Sequence, residues 1–200
     1  MTTKQELRHS LKAQRRALTG GARVRAALDV ARHISGTRWL APRKRIGLYA
    51  SLPHEMGTRP LIDLARERGC EIFLPRIVST RAHRMEFVRI GDEWSARARM
   101  HALGMVEPRG TAFFPARFLD TIFVPAVGLD LRGARLGHGA GFYDRALAFR
   151  RMRTQWRGPR LVGLAYSFQV VPRIPVDGTD VSMDMVVTER GIHELLADED

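Results

Sequence analysis

The chain has 200 residues, of which 44% are hydrophobic and 27% charged, enough for one domain that buries its own core without covalent staples. A single cysteine, Cys70, excludes an internal disulfide framework, and no uncharged apolar run approaches the ~20 residues that a membrane-spanning helix needs. The net charge of +12 invites nucleic acid, but the only lysines are Lys4, Lys12 and Lys44, the arginines are dispersed from Arg8 to Arg190, and no aromatic-interleaved basic motif is present, so no specific nucleic-acid partner is expected.

The N-terminal segment is charged throughout and lacks an apolar stretch, which argues for a cytoplasmic protein without membrane association. Thr3-Lys4-Gln5-Glu6 has the form of a capping box, so Thr3 is the expected N-cap of a helix reaching about Leu18, with Lys4 and Arg8 on one face. A second helix is predicted from about Gly21 to Ile34, on the recurrence of Val24, Leu28 and Ala31. Ile46–Ser51 reads as a buried strand, Thr58 as the cap of a helix ending at Gly69, and Glu71–Leu74 as the next strand. That order is a βαβ unit and implies a parallel sheet. Met85–Ile90 alternates like a strand, and Gly91–Pro115 is aperiodic, a candidate border of a ligand site. Thr121–Val127 is a strongly apolar strand, Phe142–Met152 an amphipathic helix, and Leu161–Tyr166 and Met185–Thr188 are further strands. The expectation is one α/β domain over residues 1–200, a three-layer α/β/α arrangement with a mostly parallel, Rossmann-like sheet.

The richest stretch is Val124–Arg145, in which an apolar segment feeds a glycine loop that opens a helix at Tyr143 and Asp144. Gly137, Gly139 and Gly141 alternate with His138 and Ala140, so the backbone can approach a ligand closely and its N–H groups can converge. With Arg135 beside it and a helix start behind it, the loop reads as a phosphate cradle. It is neither common nucleotide fingerprint: Phe142 stands where a P-loop has its Lys and where a dinucleotide loop has its third glycine.

In open α/β sheets ligands bind beyond the carboxyl ends of the strands. Glu55 follows the first strand, the glycine loop follows Thr121–Val127, and Asp180 precedes the last strand. Asp144, in the first turn of its helix, either compensates the helix dipole, worth at most ~1 kcal/mol at an exposed site, or holds Mg²⁺ against phosphate oxygens, with Asp180 or Asp184 as a second carboxylate. Because a first-turn carboxylate contributes little stability, Asp144→Asn is expected to impair Mg²⁺-dependent catalysis more than folding. His138 is either a general acid or base or a polar filler, and Cys70 is assigned no chemistry.

The motif RLGHGAGFYDRAL at Arg135–Leu147 resembles the signature of the 5-formyltetrahydrofolate cyclo-ligase family, also called methenyltetrahydrofolate synthetase. KQELR at Lys4–Arg8, HEMGT at His54–Thr58, LPRI from Leu74, GMVEP from Gly104, VPAVGLD from Val124, VGLAYSFQ from Val162 and IPVDGTDVSMDMVVTE from Ile174 are similar to further family blocks in the same order. The resemblance spans nearly the whole chain. It implies cyclisation of 5-formyltetrahydrofolate, free or polyglutamylated, by a monomer that uses ATP as co-substrate and Mg²⁺.

Carried over by motif, Arg8, Arg135 and Tyr143 are the implied catalytic residues. Lys4, Gln5, Glu6, Leu7 and Arg8 from one block, and Arg135, Leu136, Gly137, His138, Gly139, Ala140, Gly141, Phe142 and Tyr143 from another, would bind ATP. Arg8, Ala50, Glu55 and the His138–Phe142 segment would bind the folate, and Asp144 and Asp180 the metal. Three departures stand out: Phe142 replaces a frequent Tyr, His138 and Ala140 occupy variable positions, and Leu103 replaces an aromatic ahead of Gly104-Met105. The alternative left open by the charge is a non-catalytic nucleotide- or RNA-binding module on the same fold.

Overall fold

A computed structural model describes residues 3–91, 94, 98–101, 104, 106–109, 112–152 and 158–196. The Leu103 and Met105 positions singled out above lie outside them. The first helix, α1 (Lys4–Ala17), starts as its sequence predicts: the Thr3 hydroxyl accepts from Glu6 N–H, while the Glu6 carboxylate accepts from Thr3 N–H at 2.7 Å. Thr19 caps α2 (Gly20–Ser35) one residue ahead of the predicted start. Strand β1 (Arg45–Gly47), α3 (Arg59–Glu67) and β2 (Glu71–Ser79) form the expected βαβ unit, with β1 and β2 parallel.

Three details of that unit depart from the sequence reading. Laddering of β1 stops at Gly47, after which the chain leaves the sheet and residues 49–58 become a loop. Thr58 does not cap α3, because its hydroxyl is drawn to the Tyr49 carbonyl, and it thereby ties the two ends of that loop together. Strand β2 runs five residues past Leu74 because it pairs antiparallel with β3 (Arg84–Arg89) across a hairpin. Pro75 is tolerated there since the last β1 partner is opposite Phe73, so no β1 ladder bond is lost at Pro75.

The stretch read as aperiodic carries three two-residue strands, β4 (Arg99–Met100), β5 (Val106–Glu107) and β6 (Phe113–Phe114). After β7 (Thr121–Pro125), a tight hairpin of β8 (Gly128–Leu129) and β9 (Arg135–Leu136) leads into the glycine loop. The predicted Phe142–Met152 helix is instead α4 (Phe142–Ala146) followed by a 3₁₀ segment, Ala148–Met152. Arg150 is pulled onto Asp184 and Arg151 onto the Gly178 and Thr179 carbonyls, and these tertiary partners override the α-helical period. Strands β10 (Arg160–Leu164), β11 (Met185–Thr188) and β12 (Gly191–His193) complete the described chain.

The eight-stranded sheet has the order β12-β11-β10-β7-β1-β2-β3-β6, with parallel pairing from β11 through to β2 and antiparallel strands at both edges. Alternation sends Ile72, Leu74, Phe123 and Val162 to a core beneath α2 and α3, and Phe73, Ile122, Val124 and Leu161 to the opposite face beneath α4 and the 3₁₀ segment. The arrangement is the expected three-layer α/β/α fold, thinner on the α4 side. Helix α1 packs through Leu11 on Val127, Leu136 and Ile174. Among the described residues no helix is long and apolar enough to cross a membrane.

Candidate active site

The chain order reverses at β1, which has β2 on one side and β7 on the other, so a crevice opens beyond the carboxyl ends of β1 and β7. A cleft of about 790 Å³ lies there, within the 300–1,000 Å³ range of small-molecule sites. Lys4 and Arg8 of α1, Ala50 and Glu55 of the loop after β1, the whole Arg135–Asp144 run, and Asp177 and Asp180 all line it. The structure therefore brings together both ends of the chain and its middle. Gln5, Glu6 and Leu7 do not line the cleft: Glu6 serves the helix cap, and Leu7 packs on the small core under α1.

The glycine loop is shaped by backbone freedom. Gly139 and Gly141 sit at φ 110° and 68°, and Gly141 is the N-cap of α4, where a side chain would be strained. Arg8 Nε donates to the Gly137 carbonyl at 2.9 Å and anchors α1 to the loop.

Arg135 is almost fully buried, and its Nη2 reaches both Asp144 oxygens at 2.8 Å. Among the described residues its Nε has no hydrogen-bond partner, and neither does the buried hydroxyl of Tyr143, whose ring lies 5.7 Å beneath the guanidinium. Burial, reinforced by the Glu55 charge, pushes the Tyr143 hydroxyl well above the ordinary tyrosine range. Two buried donors without acceptors in a cleft wall are what a ligand bearing oxygen atoms would satisfy.

Lys4 Nζ bridges Asp177 at 2.9 Å and Asp180 at 2.7 Å. Burial opposes its charge, but the hydrogen bonds and charges of Asp180 and Asp177 outweigh this and hold Lys4 above its usual value. Asp177 is held far below the carboxylate range by hydrogen bonds from Thr179 and Lys4. Sequence reasoning missed Asp177, since Asp-Gly-Thr reads only as a turn.

Val181 N–H reaches Asp144 at 3.4 Å, so the Asp180 segment and Asp144 meet on one wall. Asp184 does not join them; it pairs with Arg150 and accepts from Leu161 N–H at 2.7 Å. Among the described residues no cluster of three or more His, Cys, Asp or Glu forms a self-sufficient metal cage. Two carboxylates on one wall do fit Mg²⁺, which is commonly held by one or two carboxylates together with substrate phosphates.

On the facing wall Glu55 is 4% exposed through its side chain, with Oε2 accepting from Leu52 N–H at 2.8 Å and Oε1 lying 3.6 Å from His138 Nε2. Its loop is pinned by Tyr166, whose hydroxyl donates to the Glu55 carbonyl, and by Tyr49, whose hydroxyl donates to Met56 O. Burial pushes the Glu55 carboxyl up, against the pull of Leu52 N–H and Arg15. His138 is lowered to about 4 by burial and by the cations Arg15, Lys12, Arg135 and Arg8, so the contact with Glu55 is not an ion pair at neutral pH. Leu52, Pro75, Ile77 and Met85 add an apolar floor. Cys70 is half-buried, donates to Ala41 O and lies off the cleft, so it takes no part in this site.

Arg15 is the least expected neighbour. It is 5% exposed, donates to the Ala126 carbonyl at 3.4 Å, and leaves Nε unpaired among the described residues. Its position seven residues after Arg8 puts both on one face of α1, which is the signal available in the sequence.

An α/β sheet with an arginine-flanked glycine loop and a buried carboxylate at its switch point defines an α/β enzyme with a small-molecule cleft. The sequence profile of the 5-formyltetrahydrofolate cyclo-ligase family matches residues 1–189. The chain belongs to that family. It is 32% identical over 194 residues to 5-formyltetrahydrofolate cyclo-ligase of Mus musculus, covering 94% of each chain. It is 29% identical over 191 residues to a probable 5-formyltetrahydrofolate cyclo-ligase of Caenorhabditis elegans, covering 93% of this chain and 92% of the other. The NMR structure of Aquifex aeolicus 5,10-methenyltetrahydrofolate synthetase superposes with a TM-score of 0.79 at 30% identity, over 98% of this chain and 95% of that one.

Proposed function

We propose that this enzyme couples ATP and Mg²⁺ to the cyclisation of 5-formyltetrahydrofolate, giving 5,10-methenyltetrahydrofolate, ADP and phosphate through a phosphorylated formyl intermediate. The observation that carries the reading is that one cleft joins the Gly137–Asp144 loop to Glu55 and an apolar floor, so a triphosphate and a flat heterocycle would lie end to end.

The chemistry explains the need for both. A formamide oxygen is a poor leaving group, so ring closure requires its activation. The formyl oxygen attacks the γ-phosphorus and ADP leaves. N10 of the folate then bonds to the formyl carbon and loses its proton, and the carbon–oxygen bond breaks with departure of phosphate. Catalysis of such a transfer is mostly positioning and charge neutralisation. Arg8, Arg135 and Lys4 supply the cations, and the unpaired Arg135 Nε and Tyr143 hydroxyl supply donors for developing charge. Glu55, an almost buried acceptor, would receive the N–H groups of the pterin, next to Ala50.

Asp144 and Asp180 would hold Mg²⁺, which when bound supplies charge neutralisation at phosphate oxygens. The test uses the purified protein with folinate and MgATP, following methenyl absorbance and ADP together. Product and ADP in equal amounts are expected; absence of ATP-dependent absorbance would overturn the assignment.

A further inference from the structure

Nothing in the sequence marks His83. It sits at the tip of the β2–β3 hairpin, in a turn closed by His83 N–H to Thr80 O, with φ at 48°. From there the ring crosses to the glycine loop. His83 Nδ1 lies 2.6 Å from the Ala140 carbonyl oxygen, and its ring is 5.5 Å from that of Phe142. A carbonyl only accepts, so Nδ1 carries the proton and donates. A second tie runs the other way, from Arg145 of α4 to Ala82 O at 3.4 Å.

The consequence follows from peptide planarity. In a trans peptide the C=O of one residue and the N–H of the next point in opposite directions. Holding the Ala140 carbonyl toward His83 therefore aims Gly141 N–H away from the hairpin tip, which does not line the cleft, whereas Gly141 does. That peptide turns on ψ of Ala140 and φ of Gly141, and Gly141, at φ 68° and without a Cβ, sets few steric barriers to its reorientation. We propose that His83 is a positioning residue that locks the Ala140–Gly141 peptide with its N–H facing the cleft, completing the phosphate cradle of the glycine loop. This rests on the nucleotide reading above, and the assay is chosen to separate the two.

Three variants divide the possibilities. His83→Gly accepts the left-handed turn without strain but removes the donor. His83→Asn keeps both, because Asn tolerates positive φ and its amide nitrogen stands where Nδ1 stands. His83→Gln presents its nitrogen further out, where Nε2 was. Binding of a non-hydrolysable ATP analogue with Mg²⁺ is measured by calorimetry without folate, and KM is then measured for ATP and folinate separately.

The expected result is that His83→Gly and His83→Gln bind the analogue about tenfold more weakly, as for loss of one well-aligned donor, with KM for ATP raised alike and KM for folinate unchanged. His83→Asn should return to within about threefold of the parent, a difference of under 1 kcal/mol. Parent-like binding by His83→Gly, or His83→Asn as weak as His83→Gly, would overturn the role of His83. Failure of the unmutated protein to bind the analogue would instead overturn the nucleotide reading itself.

Discussion

Replacing Asp144 by Ala should cost stability that a solvated helix-start carboxylate could not supply. Arg135 and Asp144 are 5% and 20% exposed through their side chains, and the guanidinium binds both carboxylate oxygens at 2.8 Å. Removing one partner of a fully buried pair costs about 3–5 kcal/mol, because the other charge stays in low dielectric. One-fifth exposure of Asp144 lets water compensate in part, so a loss of about 2–3 kcal/mol is expected, against at most ~1 for a dipole contribution. In a domain of this size that lowers Tm by about 5–10 °C. Urea unfolding supplies the free energy, and a cycle with Arg135→Met isolates the pair. The double variant should recover at least about 1.5 kcal/mol relative to the sum of the singles, since no unpaired charge remains buried. Asp144→Ala within about 0.5 kcal/mol of the parent, or additive losses in the cycle, would refute the view that Asp144 is the structural counterion of Arg135.

Three further outcomes are expected. Glu55→Gln retains an oxygen for Leu52 N–H but loses the charged acceptor, so KM for folinate should rise about tenfold while analogue binding stays unchanged; a folinate KM within twofold would argue against the pterin contact. The His138 imidazole, followed by NMR, should titrate near pH 4 in the free protein. Burial, Arg15 and Lys12 depress it most and would persist, but saturation with inorganic tripolyphosphate would neutralise the smaller contributions of Arg135 and Arg8, so the midpoint should rise part of the way, with proton uptake on binding just above pH 4; an unmoved midpoint would count against phosphate binding at the loop. Mn²⁺, as a spectroscopic substitute for Mg²⁺, should bind weakly alone and tightly with the ATP analogue, since Asp144 and Asp180 are engaged by Arg135 and Lys4; tight binding of the bare ion would contradict this.

Local rules made much of the architecture legible. The capping box at Thr3, the apolar strands at Ile46, Thr121 and Leu161, and the βαβ order all act within a few residues, and each begins within a residue of where the sequence puts it, though the strands end earlier. The glycine loop was equally visible, because alternating glycines have few other uses. What escaped depends on long-range partners. Thr58 looks like a cap, yet Tyr49 claims its hydroxyl; α4 looks eleven residues long, yet Asp184 and the Gly178–Thr179 carbonyls claim its arginines. Asp144 reads as a dipole partner until burial of Arg135 makes it a counterion. His83 and Arg15 carry no motif, and only the hairpin and the α1 face bring them to the loop and to Glu55.

The pairing in the cleft has its own logic. Each carboxylate proposed as a metal ligand is joined to a cation proposed as a phosphate ligand: Asp144 to Arg135, and Asp180 to Lys4. Without such pairs, a half-buried cleft lined by Lys4, Arg8 and Arg135 would repel itself; His138, lowered by burial and then by nearby cations that include Arg135 and Arg8, registers that field. With them, the charges of the cleft are compensated and the cradle keeps its shape. A nucleotide brings anions for the cations, and a divalent ion brings charge for the carboxylates released, so exchanging partners together leaves no buried charge alone. Either one arriving singly strands the other half. On the proposed reaction, a preference for the metal–nucleotide complex would be built into these two ion pairs, which would exchange partners together.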